Sequence, residues 1–136
     1  MAEWVMKRLV KEAGMDKDFT ITSAAVSYEE QGNDIYPPAK RKMTEKGIPF
    51  GHHSAHRITS EEFAENDFVI VMDESNKRLL SRIAHEKSGK VRMLLEFTGQ
   101  CRDVADPWYT GDFEQAFNDI LNGCRALLSF LNYQNL

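Results

Sequence analysis

The residues with the most chemistry in them are Asp106-Pro107-Trp108-Tyr109, flanked by Asp103 and Gly111. Proline pushes the residue before it towards an extended backbone, so Asp106 stands on a stiff stem beside two aromatic rings. That placement suits a general acid, and an Asp-Pro pair that merely turns the chain reads the same from local sequence. His52, His53 and His56 in Gly51-His52-His53-Ser54-Ala55-His56-Arg57 are candidate metal ligands, with His52 and His56 on one face if the segment is helical. No Cys or carboxylate adjoins them to complete a four-ligand set, which favours a histidine pinning a loop and no metal. Asp73 follows the apolar run FVIVM and so falls at a sheet's carboxyl edge, where functional carboxylates gather; as a helix cap it would look the same.

Cys101 and Cys124 lie 23 residues apart and form no Cys-x-x-Cys pair, so neither a zinc ribbon nor a disulfide framework is expected. Cys101 adjoins Arg102, a weak sign of a reactive thiol, while Cys124 falls on an apolar helix face as a buried, inert one. Thiol usage of this kind, and a start lacking the order of a signal peptide, point to a reducing cytoplasm. Lys40-Arg41-Lys42 reads as a solvated helix face, and Trp4 fits core or ligand contact equally.

These residues need a scaffold, and 136 residues with 42% hydrophobic content supply a single domain, 1–136, with one core. The net charge of -4, with basic residues scattered, offers nucleic acid no footprint, and no apolar run reaches the ~20 residues of a membrane span. Met1, Val5, Leu9 and Val10 recur at helical spacing up to Gly14, and a second helix opens at Pro37-Pro38 and closes at Gly47. Between them, residues 19–26 (FTITSAAV) read as a strand. Thr59-Ser60-Glu61-Glu62 is a capping box. Residues 68–72 (FVIVM) and 91–95 (VRMLL) read as buried parallel strands, with a helix burying Leu79, Leu80 and Ile83 and a Ser88-Gly89 turn between them. A long loop over residues 97–111 leads to a last helix, capped by Asp112, that buries Phe113, Phe117, Ile120, Leu121, Cys124, Leu128 and Leu131.

Alternating helices and strands predict an α/β three-layer sandwich with a mainly parallel sheet. In such folds a strand feeds the first helix, and the loop between them binds the ligand. Here the first helix has no strand, loop or N-cap ahead of it, so its first N–H groups lack partners.

Several segments together resemble the low-molecular-weight protein-tyrosine phosphatases. They are Met1-Ala2-Glu3, Ser23-Ala24-Ala25-Val26-Ser27, Tyr36-Pro37-Pro38-Ala39, Lys46-Gly47-Ile48, His53 with Ala55, Met72-Asp73-Glu74-Ser75-Asn76 and Asp106-Pro107-Trp108-Tyr109, in the family's order and spacing. The resemblance implies a four-stranded parallel sheet, no cofactor, and hydrolysis of phosphotyrosine proteins or aryl phosphates through a cysteinyl phosphate. By the same likeness Asp106 matches the acid and base, Trp108 and Tyr109 the aromatic wall, and His53 and Asp73 the groups that hydrogen-bond to the phosphate loop.

The departure is the family's Cys-x5-Arg-Ser-Pro loop, which precedes the residue matching Met1. Six positions after Cys101 is Pro107 and six after Cys124 is Phe130, so the pattern occurs nowhere in the chain. The expectation is a member truncated at its amino end, inactive as it stands, whose first and central strand is missing between FTITSAAV and FVIVM. A rearranged sheet, pairing with another chain through the exposed strand edges, or poor stability should follow. A natural non-catalytic short form acting as an oligomerising or interaction module is the alternative. An arsenate reductase fits poorly, since its redox cysteines are near neighbours, and the Trp108-Tyr109 pair favours an aryl over a phosphoarginine substrate.

Overall fold

The computed structural model describes residues 1–85 and 89–134. Its elements are α1 (Ala2–Glu12), α2 (Pro37–Glu45), α3 (Ser60–Glu65), β1 (Val69–Val71), α4 (Glu74–Ser81), β2 (Val91–Met93), a 3-10 turn (Leu94–Thr98), α5 (Pro107–Thr110) and α6 (Phe113–Gln134). β1 and β2 pair in parallel, Val69 opposite Val91 and Val71 opposite Met93. The result is a mixed α/β fold with a small parallel sheet, and no described helix is long and apolar enough to cross a membrane.

Local signals place most helix ends. α1 ends at Glu12 with Ala13 as its cap, and Gly14 just beyond has a φ of +71° that few other residues adopt; α2 starts on Pro37 in its first turn. Thr59 Oγ1 accepts the Glu62 N–H at 3.1 Å and Glu62 Oε1 accepts the Thr59 N–H at 3.3 Å, which completes the capping box of α3. Asp112 Oδ1 accepts the Gln115 N–H at 2.9 Å at the start of α6. Of the Ser88-Gly89 turn, Ser88 lies outside the described residues.

The main core forms where α1 and α6 meet, with Val5, Met6 and Val10 against Phe117, Ile120, Cys124 and Leu127, and Leu94 and Leu95 beside them. A second cluster, Ile58, Phe63, Val71, Leu80 and Val91, packs about the small sheet. Within α6, Phe117, Ile120 and Cys124 are buried as expected, while Phe113, Leu121, Leu128 and Leu131 are half-buried and Leu127 joins the core.

Three expectations are corrected. Residues 19–26 form no strand; Ala25 alone bridges to Arg57, its N–H donating to His56 O at 2.7 Å and its C=O accepting from Ile58 N at 2.8 Å. The main-chain groups of residues 19–24 form no backbone hydrogen bond with any described residue. Strand-forming side chains favour an extended backbone, but a strand exists only through its ladder, and no described segment lies in pairing register there. Phe19 and Ile21 nevertheless pack on the main core. The second strand ends at Met93, because Glu96 Oε1 accepts the Met93 N–H at 2.7 Å and winds the chain into the 3-10 turn. The loop over residues 97–111 holds a helix of its own, α5.

α6 crosses the 3-10 turn at Gly123, where an added Cβ would stand 2.5 Å from Leu94 Cγ. Leu94 is fully buried and has little room to move. Gly123→Ala should therefore lower stability by about 1–3 kcal/mol, read as a fall in thermal midpoint. An unchanged midpoint would mean that Leu94 repacks freely.

Candidate active site

Asp106 has the extended backbone that Pro107 imposes, with φ -71° and ψ 115°, and its Oδ1 accepts the Trp108 N–H at 2.9 Å. It is thus the N-cap of α5, and its side chain is exposed. The residue that turns the chain thus also stands in solvent. Among the described residues nothing hydrogen-bonds to its Oδ2.

Trp108 and Tyr109 are 57% and 83% exposed. The Trp108 ring centroid lies 4.5 Å from that of Tyr36, which lies 6.0 Å from that of Phe113, so three rings from three segments form one aromatic face. Tyr36 escaped sequence reading as part of this face; the available signal was an aromatic residue immediately before a helix-starting proline.

Charge ties α2 to α6: Lys42 and Lys46 donate to the two carboxylate oxygens of Glu114, each at 2.7 Å, joining the carboxyl end of α2 to the start of α6. The two ammonium groups pull the Glu114 carboxyl down to about 2. A folded-state value below the ordinary 4.5 stabilises the protein fully above about pH 4.5, and that contribution is lost as pH falls towards about 2. Chemical denaturation at pH 6 and pH 3 should show stability falling with acid, and Glu114→Gln should flatten that fall. An identical slope in the variant would exclude this tie as a source.

His53 and Asp73 sit in two separate networks. Glu3, in the first turn of α1, accepts from Ser23 Oγ and Lys7 Nζ, each at 2.5 Å, and His53 Nδ1 lies 4.0 Å from the same carboxylate. Burial raises the Glu3 carboxyl, and the Lys7 and Ser23 hydrogen bonds more than offset it, so it lies below its ordinary range. The His53 main-chain N–H donates to Asp34 Oδ1 at 2.9 Å, and Lys40 donates to Asp34 Oδ2 at 2.6 Å. Asp73 caps α4, its Oδ1 accepting the Asn76 N–H at 2.7 Å. One residue on, the Glu74 N–H donates to Asp103 Oδ1 at 3.1 Å, so the start of α4 is tied to the segment that leads to Asp106.

The histidines do not converge. His52 Nδ1 lies 3.6 Å from Asp34, His53 is near Glu3, and His56 Nε2 is 2.8 Å from Glu62. The segment is not helical, and no group of three or more His, Cys, Asp or Glu side chains among the described residues could hold a metal ion. Cys124 is buried, and burial pushes its thiol up to about 12. Cys101 is exposed, but the neighbouring guanidinium is engaged elsewhere, on Gln100 and Asp119.

The chain belongs to the low molecular weight phosphotyrosine protein phosphatases, whose family model matches residues 1–135. These are phosphotyrosine hydrolases. The human low molecular weight phosphotyrosine protein phosphatase is 35% identical over 134 residues, which cover 94% of this chain and 84% of the human one. The crystal structure of YfkJ from Bacillus subtilis superposes with a TM-score of 0.94 at 25% identity, over 99% of this chain and 87% of that one. The low molecular weight protein tyrosine phosphatase SP-PTP from Streptococcus pyogenes gives a TM-score of 0.84 at 32% identity, over 96% and 82%.

Proposed function

We propose that Asp106 is the general acid and base of phosphotyrosine hydrolysis, that Trp108 and Tyr109 flank the phenyl ring, and that His53 and Asp73 brace the phosphate loop. In this reading a cysteine thiolate attacks phosphorus while the P–O bond to the phenol breaks. Asp106 gives its proton to the departing oxygen, which would otherwise leave as the anion of a group with pKa ~10. Water then attacks the cysteinyl phosphate, Asp106 takes the water's proton, and the S–P bond breaks to release phosphate and the thiolate. The observation that carries the reading is the exposed Asp106 beside the aromatic face, within a chain of this family.

The 136 residues by themselves do not run this cycle. No Cys-x5-Arg occurs among them, and with it go the nucleophile, the N–H cradle for phosphate oxygens and the clamping arginine of the family's pattern. The two free thiols suit a reducing cytoplasm, and the substrates are phosphotyrosine proteins.

A second reading is a non-catalytic interaction module, favoured by residues 19–24, whose main-chain groups form no backbone hydrogen bond with any described residue. The intact mass of the protein as its source cells make it separates the two. A species heavier than 15.6 kDa by a strand and a loop supports the phosphatase, and one at 15.6 kDa that light scattering finds as a dimer supports the module.

A further inference from the structure

The segment that presents Asp106 is held at three successive residues by three different elements. Arg102 Nη2 donates to Asp119 Oδ1 at 2.8 Å and Nη1 to Oδ2 at 3.0 Å, a two-pronged grip on a side chain of α6. Asp103 Oδ1 takes the Glu74 N–H at the start of α4. Val104 is buried, and its N–H donates to Met72 O at 2.9 Å, just past β1. Two residues further on stands Asp106.

Asp119 is the one buried charged residue among those described, 4% exposed, and Gln115 Nε2 donates to its Oδ1 at 3.0 Å. A buried carboxylate is a poor way to stabilise a helix face, because an apolar residue of similar volume serves as well without desolvation. What the ion pair supplies is direction. Val104 alone fixes the depth of the segment and leaves it free to rotate about the buried side chain. The bonds of Arg102 and Asp103, towards α6 and α4, remove that rotation.

We propose that Arg102 and Asp119 are a positioning pair that sets the orientation of the Asp106–Trp108 turn. The inference rests on the reading of Asp106 as the acid, but its test does not require turnover. The chain has two tryptophans, so Trp4→Phe leaves Trp108 as the sole reporter. In that background Arg102→Gln should raise acrylamide quenching of Trp108 towards, at most, roughly 1.7 times its present value, the ratio of full to 57% exposure. Its fluorescence anisotropy should fall, and amide exchange at Tyr109 to Gly111 should quicken about tenfold. Asp119→Asn should do the same, the double variant no more than either single one, and Arg102→Lys should restore part of the effect.

Arg102→Gln strips the buried Asp119 carboxylate of its counter-charge, so Asp119→Asn, which removes that charge and keeps the side chain's shape, remains a folded test if Arg102→Gln lowers stability. A lower thermal midpoint with unchanged Trp108 quenching, anisotropy and exchange would overturn the proposal and leave the pair as packing alone. So would effects of the two single variants that simply add. Loss of the acid assignment by kinetics, with Trp108 still responding, would strike the function and spare the pair.

Discussion

Incubated with p-nitrophenyl phosphate, the 136-residue chain should release p-nitrophenolate no faster than buffer does. Enzymes that lose only a nucleophile still keep ~10³–10⁴-fold acceleration from their oxyanion hole and substrate binding, after a loss of about 10⁶. Here the N–H cradle and the clamping arginine are absent together with the thiol, so that residue of catalysis has no source. Neither cysteine replaces it. Cys124 is buried with its thiol pushed up to about 12, which keeps it protonated near neutral pH. Cys101 is exposed, but its neighbouring guanidinium is spent on Asp119 and no cradle adjoins it. Turnover that disappears in Asp106→Asn or Cys101→Ser would contradict this.

With a strand and a Cys-x5-Arg-Ser-Pro loop supplied ahead of Met1, Asp106→Asn should lower kcat on phenyl phosphate by ~10²–10⁴ and leave KM nearly unchanged. Asparagine keeps the oxygen that caps α5 at Trp108 N, so the turn survives while the proton is lost. The loss should be smaller on p-nitrophenyl phosphate, whose more acidic phenol departs without a proton. Steady-state kinetics on the two substrates decides it. Equal losses on both would mean that Asp106 acts through something other than leaving-group protonation.

Legibility followed the range of the interactions. Helix ends depend on contacts three or four residues apart, so Thr59 with Glu62, Asp112 with Gln115 and Asp73 with Asn76 were readable as caps, and each makes its bond. The buried run at FVIVM likewise carries β1. FTITSAAV misled because the pattern reports backbone preference while a ladder needs a partner, and among the described residues only Ala25 finds one. The candidate site divides the same way. The Asp106 stem is local and was legible. The Tyr36–Trp108 contact, the Glu3–Ser23 bond and the Arg102–Asp119 pair join segments 17 to 72 residues apart, and no window of sequence displays them.

We propose that one segment carrying a strand and a Cys-x5-Arg-Ser-Pro loop, joined ahead of α1, would supply both a ladder partner for residues 19–24 and a thiolate facing Asp106.

The most direct measurement is therefore p-nitrophenyl phosphate hydrolysis by this chain before and after a relative's strand and Cys-x5-Arg-Ser-Pro loop are joined to Met1. No turnover is expected before, and turnover after that depends on both the added cysteine and Asp106. A joined chain that folds and stays inert, or one whose turnover ignores Asp106, would contradict this expectation.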